Sequence, residues 1–137
     1  MLKNCSDLIS INLENFKTEK VNDMTGMFSG CSSLNSLDLS SFDTKKVINI
    51  EEMFENCEAL ENINLKSFNT QSIVKMSNMF YNCKSLDSLD LSSFNSNNCN
   101  EFKNMFYNCI IMTVLINEEI CKNMIDLAPE YIIINEE

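Results

Sequence analysis

The stretch Val47-Ile48-Asn49-Ile50-Glu51-Glu52-Met53-Phe54-Glu55-Asn56-Cys57-Glu58-Ala59-Leu60-Glu61-Asn62-Ile63-Asn64-Leu65-Lys66-Ser67-Phe68-Asn69-Thr70 decides the fold. Its apolar residues recur in other parts of the chain at a constant interval of 26 residues. Cys5, Cys31, Cys57, Cys83 and Cys109 keep that interval, as do Met27, Met53, Met79 and Met105. Two phenylalanine columns do the same: Phe28, Phe54, Phe80, Phe106 and Phe16, Phe42, Phe68, Phe94. One unit cannot close a core around its own apolar residues, so neighbouring units must stack and bury each other's faces. The expected architecture is a repeat stack, with four 26-residue units over residues 1–109 and a degenerate last coil and C-terminal cap over 110–137.

Within a unit, Leu34, Leu37 and Leu39 end in the alternation of a short strand, as do Leu60, Ile63, Leu65 and Leu86, Leu89, Leu91. Thr18, Thr44, Thr70 and Ser96 form a column of hydroxyl residues, the types that cap helix N-termini. After Thr44, the spacing of Val47, Ile50, Met53 and Phe54 predicts one face of a helix. Asn4, Gly30, Asn56, Asn82 and Asn108 follow, residue types that enter the left-handed region and stop helices. The predicted class is therefore α/β: a right-handed β-α solenoid whose coils each hold one short strand and one short helix. Beyond Cys109, Met112 and Leu115 continue the strand pattern, Asn117 to Leu127 predicts a short helix ended before Pro129, and Tyr131 to Ile134 a last strand.

The unit, with its Met-Phe-x-x-Cys run and the Leu-Asp-Leu-Ser-Ser-Phe segments at Leu37–Phe42 and Leu89–Phe94, resembles the 26-residue repeat of BspA-like leucine-rich-repeat surface proteins. The resemblance spans roughly residues 1–109. It implies a leucine-rich-repeat fold and a surface or adhesion role, with a cell-surface or extracellular location. The chain shows no signal peptide, so a complete chain of this sequence is expected in the cytoplasm.

Composition narrows the function. The 137 residues carry 45% hydrophobic residues, two glycines and one proline, which suits a packed body. Ten cations, all lysine, face 20 carboxylates, for a net charge of -10, so nucleic acid is an unsuitable partner; no window reaches the ~18 apolar residues of a spanning helix, so no membrane insertion is expected. Histidine is absent, and the carboxylates recur as columns rather than converging. No catalytic residue, cofactor or enzymatic activity is expected.

The cysteine column admits buried thiols, disulfides or a metal site. A linear column without histidine supplies four zinc ligands poorly, so no metal site is expected and buried free thiols are the favoured reading. Cys99 and Cys121, off the column, are the candidates to react first with thiol reagents, although Cys99 stands where Val47 and Ile73 stand, a position that also reads as inward.

On the outward strand positions lie Asn12, Asp38, Asn64 and Asp90, beside Ser36, Asn62 and Ser88. Parallel repeating polar groups suit a glycan, an extended peptide or a calcium ion; equally, they form a solvated ladder bonded to itself. Tyr81 and Tyr107 lie one unit apart and form a candidate interface pair. Glu51, Glu52, Glu55 and Glu58 read as a solvated acidic face, and the Asn4-Cys5-Ser6 sequon is disfavoured by a core cysteine.

The expected function is a non-catalytic module that binds a protein or glycan partner along its concave strand face. The alternatives are a structural or assembly element that stacks end to end and an intracellular interaction scaffold. At the N-terminal end, Leu8, Ile11, Leu13, Phe16, Val21 and Met24 are expected to present an open core, covered by further repeats or by a second copy in a homo-oligomer.

Overall fold

The computed structural model describes residues 2–95, 97–110 and 113–115. Strand β1 (Ser36–Asp38) pairs in parallel with β2 (Asn62–Asn64), and β3 (Ser88–Asp90) with β4 (Thr113–Leu115). A second ladder of single parallel bridges links Asp23 to Asn49, Asn49 to Lys75 and Lys75 to Glu101. The chain therefore stacks coil upon coil, as the repeat requires. It does so without helices: among the described residues there is none, and the expected β-α architecture is corrected to a stack of turns with short parallel strands.

The reason lies in where the backbone hydrogens go. A helix needs each N–H to reach the carbonyl four residues back. Here the amides of Met27, Ser29 and Cys31 reach only three back, to Met24, Gly26 and Phe28, and close successive turns. The alternate amides of Met24, Gly26, Phe28 and Gly30 donate to Asn49, Glu51, Met53 and Glu55 of the next coil, at 2.7–2.9 Å. The following coil repeats the scheme, with Ile50, Glu52, Phe54 and Asn56 donating to Lys75, Ser77, Met79 and Tyr81. Each amide from Met24 to Cys31 thus has a partner, four of the eight across a coil boundary.

Two left-handed residues per coil make the same point. Asn4, Gly30, Asn56, Asn82 and Asn108 have φ between 58° and 75°, the conformation expected of them. Four positions earlier, Gly26, Glu52, Asn78 and Asn104 are left-handed too, at 55° to 58°. A left-handed residue inside the predicted helix is incompatible with a right-handed one. The apolar spacing of three, read as a helix face, is instead the period of the turns: the amides of Val47, Met53, Cys57, Leu60 and Phe68 each bond three residues back, and all five side chains are buried.

The threonine column is likewise reassigned. Thr44 Oγ1 donates to the Asn69 carbonyl at 2.9 Å and accepts from the Asn69 amide at 2.8 Å. Thr18 forms the same reciprocal pair with Asp43, and Thr70 with Asn95. These buried hydroxyls tie each coil to the next rather than capping a helix. Ser96, the fourth member, lies outside the described residues.

The core runs along the stack as columns. Phe28, Phe54, Phe80 and Phe106 are stacked at ring-centroid distances of 5.8, 5.3 and 5.8 Å. Phe16 stacks on Phe42 and Phe68 on Phe94 in the second column. In the first coil, Leu13 and Met24 are buried, whereas Leu8, Ile11, Phe16 and Val21 are half-buried, so the expected open core is narrower than six residues.

Of the predicted cap, only Ile110 and β4 are described; the expected helix before Pro129 and the strand at Tyr131 to Ile134 lie outside the described residues. In β4 the register is corrected by one residue. Leu89 pairs with Val114, 25 rather than 26 residues on, and Val114 is buried. Leu115, expected inside, aligns with Asp90 and stands half-buried on the outward row.

Candidate functional site

The strand row brings the predicted binding residues together. Ser36, Asp38, Asn62, Asn64, Ser88 and Asp90 line one groove of about 630 Å³, with Leu37, Ile63 and Leu89 between them. Thr113 and Leu115, which the periodic reading did not single out, complete it at the β4 end. The one-residue register shift hid them, because extrapolating the 26-residue period places different residues on that rung. Asn12 stands apart: with Asp38, Glu14, Ser40 and Ser41 it lines a neighbouring groove of about 540 Å³.

Each Asx residue of this row ends its rung in a side-chain turn. The Oδ1 atoms of Asn12, Asp38, Asn64 and Asp90 accept from the amides of Glu14, Ser40, Lys66 and Ser92 at 2.9–3.2 Å. Such turns are the local preference of short carbonyl-bearing side chains. Asn64 Nδ2 also donates to Asp38 Oδ1 across the rung at 3.1 Å, so the ladder is partly bonded to itself. The Ser40 amide holds the Asp38 carboxyl below its ordinary range, and the Ser92 hydroxyl does the same for Asp90. Both are anions at neutral pH. Ser36, Asn62 and Ser88, two residues earlier on each rung, are exposed.

The other candidate features resolve differently. Tyr81 and Tyr107 are stacked, with centroids 5.0 Å apart and rings 15° from parallel, and Tyr107 is exposed. Beside them Asn108 Nδ2 donates to Asn82 Oδ1, and Asn82 Nδ2 to Asn56 Oδ1, each at 2.7 Å. The acidic face is divided among separate partners: Glu51 with Asn49, Glu52 with Lys3, Glu55 with Ser29 and Glu58 with Lys84.

The cysteines are free thiols throughout the described residues. Cys31, Cys57, Cys83 and Cys109 each donate Sγ–H to a carbonyl of the preceding coil, at 2.8–3.2 Å. Burial pushes the Cys57 thiol up to about 12, Cys109 and Cys99 to about 11, and Cys83 further still. Cys99 is buried, as its place on the Val47 and Ile73 column allows, which disfavours an early reaction there; Cys121 lies outside the described residues. No group of three or more potential metal ligands converges among the described residues, and no helix there is long and apolar enough to cross a membrane.

Fold and groove together define a class: a stack of 26-residue coils, without helix among the described residues, with a polar, partly anionic strand row. The chain belongs to the family described as "Mycoplasma protein of unknown function, DUF285", whose pattern matches residues 1–119. No curated protein and no solved structure matches it.

Proposed function

We propose that the protein is a non-catalytic binding module whose strand row recognises a protein or glycan. The observation that carries this reading is the groove of about 630 Å³ in which Ser36, Asn62 and Ser88 stand exposed, one coil apart in sequence, beside Asp38, Asn64 and Asp90. Repetition suits an elongated ligand, because each rung offers a similar weak contact and affinity accumulates along the row. The resemblance to BspA-like leucine-rich-repeat surface proteins supports the same reading and, with it, a surface or adhesion role.

An array of glycans and extended peptides, probed with the wild-type chain and with the triple variant Ser36→Arg, Asn62→Arg, Ser88→Arg, tests it. The three positions are exposed, so the variant obstructs the row without entering the core. Ligands lost in the variant support the proposal. Ligands kept in full dock elsewhere and refute it.

A further inference from the structure

The first coil is covered less well than the coils after it. Phe42 and Phe68 are each 2% exposed and Val47 and Ile73 are wholly buried, whereas Phe16 and Val21, at the same places one coil earlier, are half-buried. The later residues have a preceding coil laid over them. Phe16 and Val21 instead border, with Met24 and Met27, a cavity of about 140 Å³.

The backbone beside this cavity is an open edge. In the second coil the Ile50 and Glu52 amides donate to the Lys75 and Ser77 carbonyls, and the Ile48 carbonyl accepts from the Val74 amide. The Thr44 hydroxyl holds both backbone groups of Asn69. One coil earlier, the groups that await such partners are the Asp23 and Thr25 carbonyls, the Asn22 amide and the two backbone groups of Lys17. Among the described residues none of them has one. Farther along the same row the Leu2 and Asn4 amides do fill the Met27 and Ser29 carbonyls, at 3.0 and 2.6 Å, as Phe54 and Asn56 fill those of Met79 and Tyr81. The row is therefore half occupied, with its open half lying against the apolar cavity.

What fits the open half is visible within the stack itself. Residues 42–52 make these same contacts on the coil after them, and they end short of the place that Leu2 holds in the first row. We infer that the first coil's open edge takes an extended segment of a separate polypeptide as an added parallel strand, with the spacing Phe-x-Thr-x-x-Val-x-x-Ile of residues 42–50. Main-chain pairing to a free strand edge supplies affinity, and the side chains seated beside it supply selectivity. The threonine hydroxyl meets the Lys17 backbone, the apolar side chains cover Phe16, Val21 and Met24, and the segment's amides reach Asp23 and Thr25. An intact second copy keeps its own residues 42–52 inside its stack and does not supply them.

A synthetic peptide of residues 42–52, blocked at both ends and carrying a fluorophore, tests this on the full chain. Anisotropy reads binding, and hydrogen exchange at the Asn22 amide reads the place. Saturable binding with slowed exchange at Asn22 is expected. The peptide with Thr44→Val binds about 5- to 50-fold more weakly, because the Lys17 backbone groups lose their partner. That substitution lies in the peptide, so the folding of the chain does not enter the comparison. The triple arginine variant of the strand row binds the peptide as the wild type does, which separates this edge from the strand-row reading. No binding, equal binding of a scrambled peptide, equal binding of the valine peptide or unchanged exchange at Asn22 overturns the proposal. So does a dimer, seen by sedimentation without peptide, in which Asn22 is already protected, since the edge then belongs to a second copy.

Discussion

Replacing Thr44 by valine isolates the tie between coils. Valine has nearly the shape of threonine, so the change leaves no cavity and removes one oxygen. That oxygen is buried, donates to the Asn69 carbonyl at 2.9 Å and accepts from the Asn69 amide at 2.8 Å. Both backbone groups of Asn69 lose this partner. Each unsatisfied buried group costs about 1 to 3 kcal/mol. Asn69 itself is only half-buried, which lets water recover part of the loss. The expected destabilisation is about 2 to 4 kcal/mol, a fall in Tm of roughly 5 to 20 °C for a chain of this size. Thr44→Ser keeps the oxygen and loses a methyl, so it costs about 1 kcal/mol. Urea unfolding followed by far-ultraviolet circular dichroism measures all three proteins. A valine variant within 0.5 kcal/mol of wild type, or a serine variant as unstable as the valine one, refutes the reciprocal tie; 0.5 kcal/mol is about the scatter of a surface substitution.

Four further outcomes follow from the same structure. The helix content read from the native far-ultraviolet spectrum stays below what the residues outside 2–95, 97–110 and 113–115 can supply, and a larger content overturns the stack of turns. Gly30→Ala lowers stability by about 1 to 2 kcal/mol or more, because Gly30 has φ 75° and an added Cβ collides with Asn4 Oδ1; a thermal melt unchanged from wild type refutes it. Alkylation of native protein modifies the half-buried Cys5 before Cys57 and Cys83, and peptide mapping that finds Cys57 modified as fast as Cys5 refutes their burial. Because folded Cys57, Cys83, Cys99 and Cys109 have raised values, their contribution to stability is complete below the unfolded thiol value of 9.0 and declines as pH rises from there towards 11 and 12. The lowered Asp23, Asp38 and Asp90 act at the other end: their contribution is present above about pH 4 and lost as pH falls through their depressed values. Stability measured by urea titration from pH 2 to 11 shows both declines.

How much of this was legible in the sequence differs by element. The columns Phe28 to Phe106, Cys31 to Cys83 and Leu34 to Leu86 are read directly from the 26-residue interval, since stacked units must bury equivalent positions. The left-handed Asn56, Asn82 and Asn108 were legible from residue type. The helix was misread because Val47, Ile50 and Met53 recur every three residues, and a short run cannot distinguish that from a helix alternating threes and fours. Thr44 was misread because the same hydroxyl chemistry serves a cap within one coil and a tie between two; a single coil does not reveal which amide it meets. The outward row Ser36 to Asp90 was legible from strand alternation, and its groove followed. Leu115 and Thr113 are missed when the 26-residue interval is carried past Cys109; the marker is that an interval of 25 sets Val114 on Leu89 and an apolar Ile116 on Leu91, where 26 sets Asn117.

The direction of the hydrogen bonds across each coil boundary sets how the stack responds to length. Amides such as Phe28 and Phe54 donate toward the C-terminal neighbour, while the Cys57 and Cys83 thiols and the Asn82 and Asn108 side-chain amides on the same turns donate the opposite way. Amides of Ile48 and Val74 also point back, to Asn22 and Ile48. An α-helix sums its peptide dipoles head to tail and concentrates partial charge at its ends. Here donors run both ways across the boundaries, and the opposed ones offset part of one another. Such a stack gains coils while accumulating less axial field than peptide units aligned head to tail.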